Sequence, residues 1–175
     1  TEKTYNNVMN RFKWGGLDKP GLYIDETVMR MCYTHRHLFA TLAMQLIAEG
    51  QNAKAEKVLR KSEKVLPEYN VPYTFMSGAS DLARAYALIG KKADAARILN
   101  KVWADAKSYA DYYLQLTGSR FMMSQNEVLR QLYIMQNIAD MTQACDKNLA
   151  NQRLKTINAL YAVYQAKGGT PYQGE

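Results

Sequence analysis

Leu42-Ala-Met-Gln-Leu-Ile-Ala-Glu-Gly50-Gln-Asn-Ala-Lys-Ala55-Glu-Lys-Val-Leu59-Arg-Lys61 recurs forty residues later as Leu82-Ala-Arg-Ala-Tyr-Ala-Leu-Ile-Gly90-Lys-Lys-Ala-Asp-Ala95-Ala-Arg-Ile-Leu99-Asn-Lys101. Leu-Ala, Gly, both alanines, Leu and Lys return at the same offsets, and Lys57 and Val58 return as Arg97 and Ile98. Each copy reads as a helix ended by glycine, followed by a second helix whose alanines allow close approach. A period of this size marks units that bury their apolar faces on one another, which sets the expected architecture as all-α.

Outward from the repeat, the chain has 175 residues, 47% apolar and 22% charged, a composition suited to a packed core without staples. Tyrosine dominates the aromatics, 13 against 4 Phe and 2 Trp, as befits half-buried helix surfaces. The net charge of +7 is spread evenly along the chain, which argues against a nucleic-acid footprint. Phe39–Ala48, the longest nearly apolar stretch, is too short to span a bilayer. The chain starts at Thr1 rather than Met, carries no signal-peptide pattern, and reads as a fragment of something longer.

Residues 1–22 are expected to be an irregular lead-in, since Trp14-Gly-Gly-Leu-Asp-Lys-Pro-Gly21 holds two turn signals. A helical repeat domain then covers 23–167, with repeat units at about 36–69 and 76–109. Asp25 caps a first long helix that reaches Gly50, interrupted, if anywhere, near His35–His37. Asn52 is expected to cap the second helix and Pro67 to stop it. Helices follow from about Ser77 to Ile89 and from about Ala93 to Lys107, then over Tyr109–Leu116, 122–149 and 152–166. The last ones lack the repeat signature and are expected to cap the apolar end of a solenoid. Residues 168–175 read as a frayed tail.

The spacing of Phe39, Leu42-Ala43, Leu46, Gly50, Ala55, Leu59, Ser62 and Pro67, and of Leu82-Ala83, Tyr86, Gly90, Ala95 and Leu99, resembles the tetratricopeptide repeat. That motif has a period of 34, so about six extra residues fall in the loop after Pro67. A second resemblance runs through Tyr5-Asn-Asn-Val-Met-Asn-Arg-Phe-Lys-Trp-Gly-Gly-Leu17, Tyr23-Ile-Asp-Glu26, the first repeat, Val71-Pro-Tyr73 and Tyr112-Tyr-Leu-Gln-Leu116. These stretches resemble the tail of a Bacteroidetes family of large polytopic membrane proteins, themselves similar to protein O-mannosyltransferases. The resemblance implies a soluble C-terminal appendage tethered to the inner membrane, on the periplasmic side. Any transferase chemistry would then lie in the membrane part.

The tetratricopeptide resemblance implies a concave groove lined by the first helix of each pair, which places His37, Met44 and Ile47 with Ser77, Ser80 and Arg84. This mixed apolar and neutral-polar set suits a peptide or a neighbouring domain of the parent. Lys54, Lys57, Lys61 and Lys64 form the one focused charge stripe, a solvated helix face or a contact with anionic headgroups. His35 and His37 project apart on a helix and no further ligands gather, so no metal and no cofactor are expected. Cys32 and Cys145 sit on apolar stripes and read as buried, inert thiols. Phe12 and Trp14 are expected to pack on the first long helix rather than to bind nucleic acid. No phosphate loop, nucleophile elbow or helical zinc motif occurs, so no catalytic residue is assigned. The expected function is a non-catalytic interaction domain of a membrane protein. The alternatives are an independent peptide-binding adaptor and, third, a membrane-surface contact through the lysines.

Overall fold

A computed structural model describes residues 1–170. Among them the chain is all-helical, without a strand: α1 Glu2–Asn6 continuing as a π turn over Asn7–Arg11, α2 Glu26–Ala48, α3 Asn52–Val65, a 3₁₀ turn Phe75–Ser77, α4 Ala79–Leu88, α5 Lys92–Gln115, α6 Gly118–Thr142 and α7 Lys147–Ala166. The chain divides into two compact units, Thr1–Leu99 and Asn100 onward. The division falls inside α5, within the second repeat unit expected at about 76–109.

In the first unit Asp25 caps α2 by accepting from the backbone N–H of Thr27 (2.8 Å) and Val28 (3.0 Å). The helix then runs unbroken through His35–His37 for 23 residues. Its buried stripe of Cys32, Phe39, Leu42, Ala43 and Leu46 packs on α3 and α4. Gly50 lies at φ +73° and Gly90 at +80°, and the two turns repeat bond for bond. Gly50 N–H donates to Ile47 O (2.9 Å) and Gln51 N–H to Leu46 O (2.8 Å); Gly90 N–H donates to Ala87 O (3.0 Å) and Lys91 N–H to Tyr86 O (2.9 Å). The forty-residue period is therefore one of backbone geometry as well as of sequence. Ala43, Ala55, Ala83 and Ala95 are all buried at 0–1% exposure.

The residues after Pro67 are organised by a side chain that pattern reading passes over. Arg36, wholly buried on α2, donates to the carbonyls of Leu66 (3.1 Å), Val71 (2.6 Å), Pro72 (3.2 Å) and Ser77 (3.2 Å). Its guanidinium also lies 4.8 Å from the centre of the Tyr73 ring. Burial pushes its pKa below the usual arginine value. Four charge-assisted bonds offset that desolvation and fold the segment against α2.

The lead-in differs from the expectation of irregular structure over 1–22. Residues 2–11 are helical, tied to α3 by the Lys54–Glu2 ion pair at 2.7 Å. The Gly-rich part is irregular, with Gly15, Gly16 and Gly21 at positive φ. It is held from the later loop, where Asn70 Nδ2 donates to Leu17 O (2.8 Å) and Lys19 O (2.7 Å) and Tyr69 Oη donates to Asp18 O (2.6 Å). Trp14 packs on α2 as the sequence indicated, 5.2 Å from Phe39 and 5.3 Å from His35, ring centre to ring centre.

In the second unit α6 packs on α7 around Phe121, Val128, Met135, Ile138, Ala150 and Tyr164. α5 continues to Gln115 without the break expected after Lys107, because Ala106, Ala110 and Leu114 prolong its apolar stripe. α6 ends at Thr142, short of the expected 149, so Cys145 lies in a turn and is only half-buried, while Cys32 is buried as expected. Arg153 is the counterpart of Arg36, buried and donating to Thr142 Oγ1 and to Asn100 Oδ1 (2.6 Å), with its guanidinium 4.9 Å from the Trp103 ring centre. Residues 168–170 are not frayed. Gly169 N–H donates to Tyr164 O (3.0 Å), and Thr170 donates from N–H (3.1 Å) and Oγ1 (2.9 Å) to Gln125 Oε1. The rest of the expected tail, 171–175, lies outside the described residues.

Candidate functional site

The expected groove residues come together in part. His37 Nδ1 on α2 lies 2.9 Å from Asp81 Oδ2 on α4, a half-exposed bridge between the first helices of the two hairpins. Met44 follows His37 by seven residues and Arg84 follows Asp81 by three, so helical periodicity keeps both on the bridged side. Met44, Ile47 and Ser80 are half-buried and Arg84 is exposed. Ser77 leaves the set. It is fully buried, its Oγ accepting from Thr74 N–H (3.0 Å) and donating to Thr74 O (2.8 Å), so it caps a turn instead of facing a ligand. Leu88, missed in the sequence, extends the same side one turn beyond Arg84 and is 56% exposed. Its signal was available, as an apolar residue four positions from Arg84.

The lysine stripe also divides. Lys54 is engaged by Glu2, and its Nζ lies 5.3 Å from the Tyr5 ring centre. Lys57, Lys61 and Lys64 make no ion pair among the described residues and line a cleft of about 560 Å³ with Met9 of the lead-in.

Between α3 and the start of α5 lies a polar network that includes Glu56–Arg60, an i,i+4 pair at 3.5 Å. Arg60 grips Asp94 with both Nη atoms, at 2.7 and 2.6 Å, and holds its carboxyl below the usual carboxylate range. Glu63 accepts from Arg97 (2.5 Å), from Tyr73 Oη (3.2 Å) and from Tyr86 Oη (3.1 Å). Burial, with Glu63 alongside, pushes the Tyr73 phenol up to about 12 and that of Tyr86 higher still. The members of this network satisfy one another, so it reads as a joint in the framework.

His35 and His37 take different partners, the Trp14 ring and Asp81. Among the described residues no group of three His, Cys, Asp or Glu side chains gathers to hold a metal, and His37 has Asp81 as its one hydrogen-bond partner. A further cleft of about 360 Å³ lies between the lead-in and α2, lined by Phe12, Trp14, Leu17, Val28, Met31 and His35. Tyr23, 90% exposed, and Met31, 56% exposed, are further large side chains open to solvent. No family model, curated protein or solved structure matches this chain.

Proposed function

We propose that this chain is a non-catalytic interaction domain that receives a peptide or a neighbouring domain on the α2/α4 side. The observation that carries the reading is the His37–Asp81 bridge. It joins the first helices of two hairpins with the same turn geometry and leaves Met44, Ile47, Arg84 and Leu88 along one side, an apolar strip with one cation. Together with the tetratricopeptide resemblance, this supports a helical-hairpin repeat architecture for the first unit. The resemblance to the Bacteroidetes membrane-protein tails makes the parent a glycosyltransferase-like protein of the inner membrane and the domain its periplasmic appendage. No helix among the described residues is long and apolar enough to cross a membrane, so in this reading the tether lies in the parent. The second reading, an independent adaptor for a soluble peptide, uses the same surface.

Apolar burial is not screened by salt, whereas exposed charges are screened over about 8–10 Å near physiological ionic strength. A photo-crosslinker at Ile47, introduced in the native host, is expected to trap one dominant partner. The adduct should persist in moderate salt and with Lys57→Gln/Lys61→Gln, and be lost with Met44→Glu or Arg84→Glu. Adducts that vanish with salt and ignore Met44→Glu would count against the surface.

A further inference from the structure

α3 carries five cations and two carboxylates, and its charges are sorted by face. Both carboxylates are engaged: Glu56 lies 3.0 Å from Lys91 and 3.5 Å from Arg60, and Glu63 is held by Arg97 at 2.5 Å. Arg60 is committed to Asp94 through both Nη atoms. Lys57, Lys61 and Lys64 follow one another by four and three residues along one stripe about 10 Å long and make no ion pair among the described residues, while the one carboxylate lining their cleft, Glu56, is taken up by Arg60 and Lys91. Like charges at this spacing repel, so the helix carries a cost that a bound anion would remove. Met9 of the π turn, whose helix is tied to α3 through Glu2 and Lys54, lines the same open cleft.

We propose that this cleft binds an anion bearing two or more phosphate charges. The donor chemistry suits phosphate held by point charges. The cleft's one arginine already spends its fork on Asp94, which leaves the lysines as the free donors. Three lysines present compact point charges with rotatable donors, which suit the tetrahedral, multiply charged phosphate group. Their spacing along the helix favours two or more phosphate groups over one. A lipid headgroup array and a free oligophosphate share this chemistry. The site is separate from the α2/α4 side and does not depend on the function proposed for it.

The test uses the full chain with two probes, inorganic tripolyphosphate by calorimetric titration and phosphatidylcholine vesicles with or without phosphatidylglycerol by co-sedimentation. The cleft variant is Lys57→Glu/Lys61→Glu. Its charge-matched control is Lys147→Glu/Lys155→Glu, two exposed lysines elsewhere that make no described ion pair. Circular dichroism melting verifies that both are folded. At low salt the cleft variant is expected to lose at least about tenfold in affinity for one probe, and the control less than about twofold. Loss confined to tripolyphosphate assigns a free phosphate ligand, and loss confined to anionic vesicles assigns lipid headgroups. Equal loss in both variants would reduce the effect to net charge, and absence of wild-type binding to either probe would remove the site; both overturn the proposal.

Discussion

At the scale of single residues, two charged side chains dominate the first unit by opposite means. Arg36 is buried among backbone carbonyls, and its removal would leave four acceptors without a donor. Each unsatisfied buried acceptor costs about 1–3 kcal/mol, so Arg36→Ala is expected to destabilise by at least about 3 kcal/mol in urea unfolding. Arg36→Lys should fall between wild type and Arg36→Ala, because an ammonium donates three bonds without the fork. A loss below about 1 kcal/mol for Arg36→Ala would contradict the assigned role. Asp94 works through titration. Its folded pKa is depressed by Arg60, so its contribution is present above the unfolded carboxylate value and lost as pH falls through the folded one. Below about pH 4 the melting temperature of wild type should therefore fall more steeply than that of Asp94→Asn. Parallel profiles would show that the ion pair contributes nothing.

Between helices, the paired turns make a quantitative comparison available. A Cβ added at Gly50 or Gly90 meets nothing within 4 Å, so alanine at either position bears only the left-handed backbone cost, about 1–2 kcal/mol. The two values should agree because the hydrogen bonds agree. Gly78 shares the positive φ, but its added Cβ would lie 3.0 Å from the His37 backbone nitrogen, so Gly78→Ala should cost clearly more. Thermal or urea unfolding of the three variants checks the order. Ala55 and Ala95, both at 0% exposure, should each lose about 1–3 kcal/mol on replacement by leucine, measured the same way. Unchanged midpoints for both would remove the close-packing role. These elements were legible in the sequence because glycine, proline and alanine act through backbone geometry at fixed offsets. The helix over residues 2–11 was less so, its polar residues giving little periodicity. Arg36 was obscured for a different reason: charge is ordinarily read as surface. Its place among Cys32, Phe39 and Ala43 on the apolar stripe was nonetheless visible. Ser77 was misplaced because the capping turn, which the extra loop residues create, rotates it inward.

For the molecule as a whole, the division into two compact units predicts where damage should spread. Arg36 ties elements of the first unit and Arg153 ties elements of the second. Hydrogen exchange should respond accordingly, since cooperative opening follows contiguous packed units. Arg36→Ala is expected to lower amide protection mainly in α2, α3 and α4, and Arg153→Ala mainly in α6 and α7. Uniform loss across all helices in both variants would mean that the chain opens as one body. The α2/α4 face was foreseeable from the repeat. The loss of Ser77 became visible only with the turn in place, whereas Leu88 could have been read four positions beyond Arg84.

The Arg36 clasp has a consequence for how the first unit can vary. Its four hydrogen-bond acceptors are main-chain carbonyls, so these bonds recognise the path of residues 66–77 and not the identities of the side chains along it. An exposed position such as Met76 can therefore drift, or be rewritten by a designer, while the loop keeps its course. Length is the quantity it polices. An inserted or deleted residue would move the carbonyls off the guanidinium, which cannot follow from the middle of a helix.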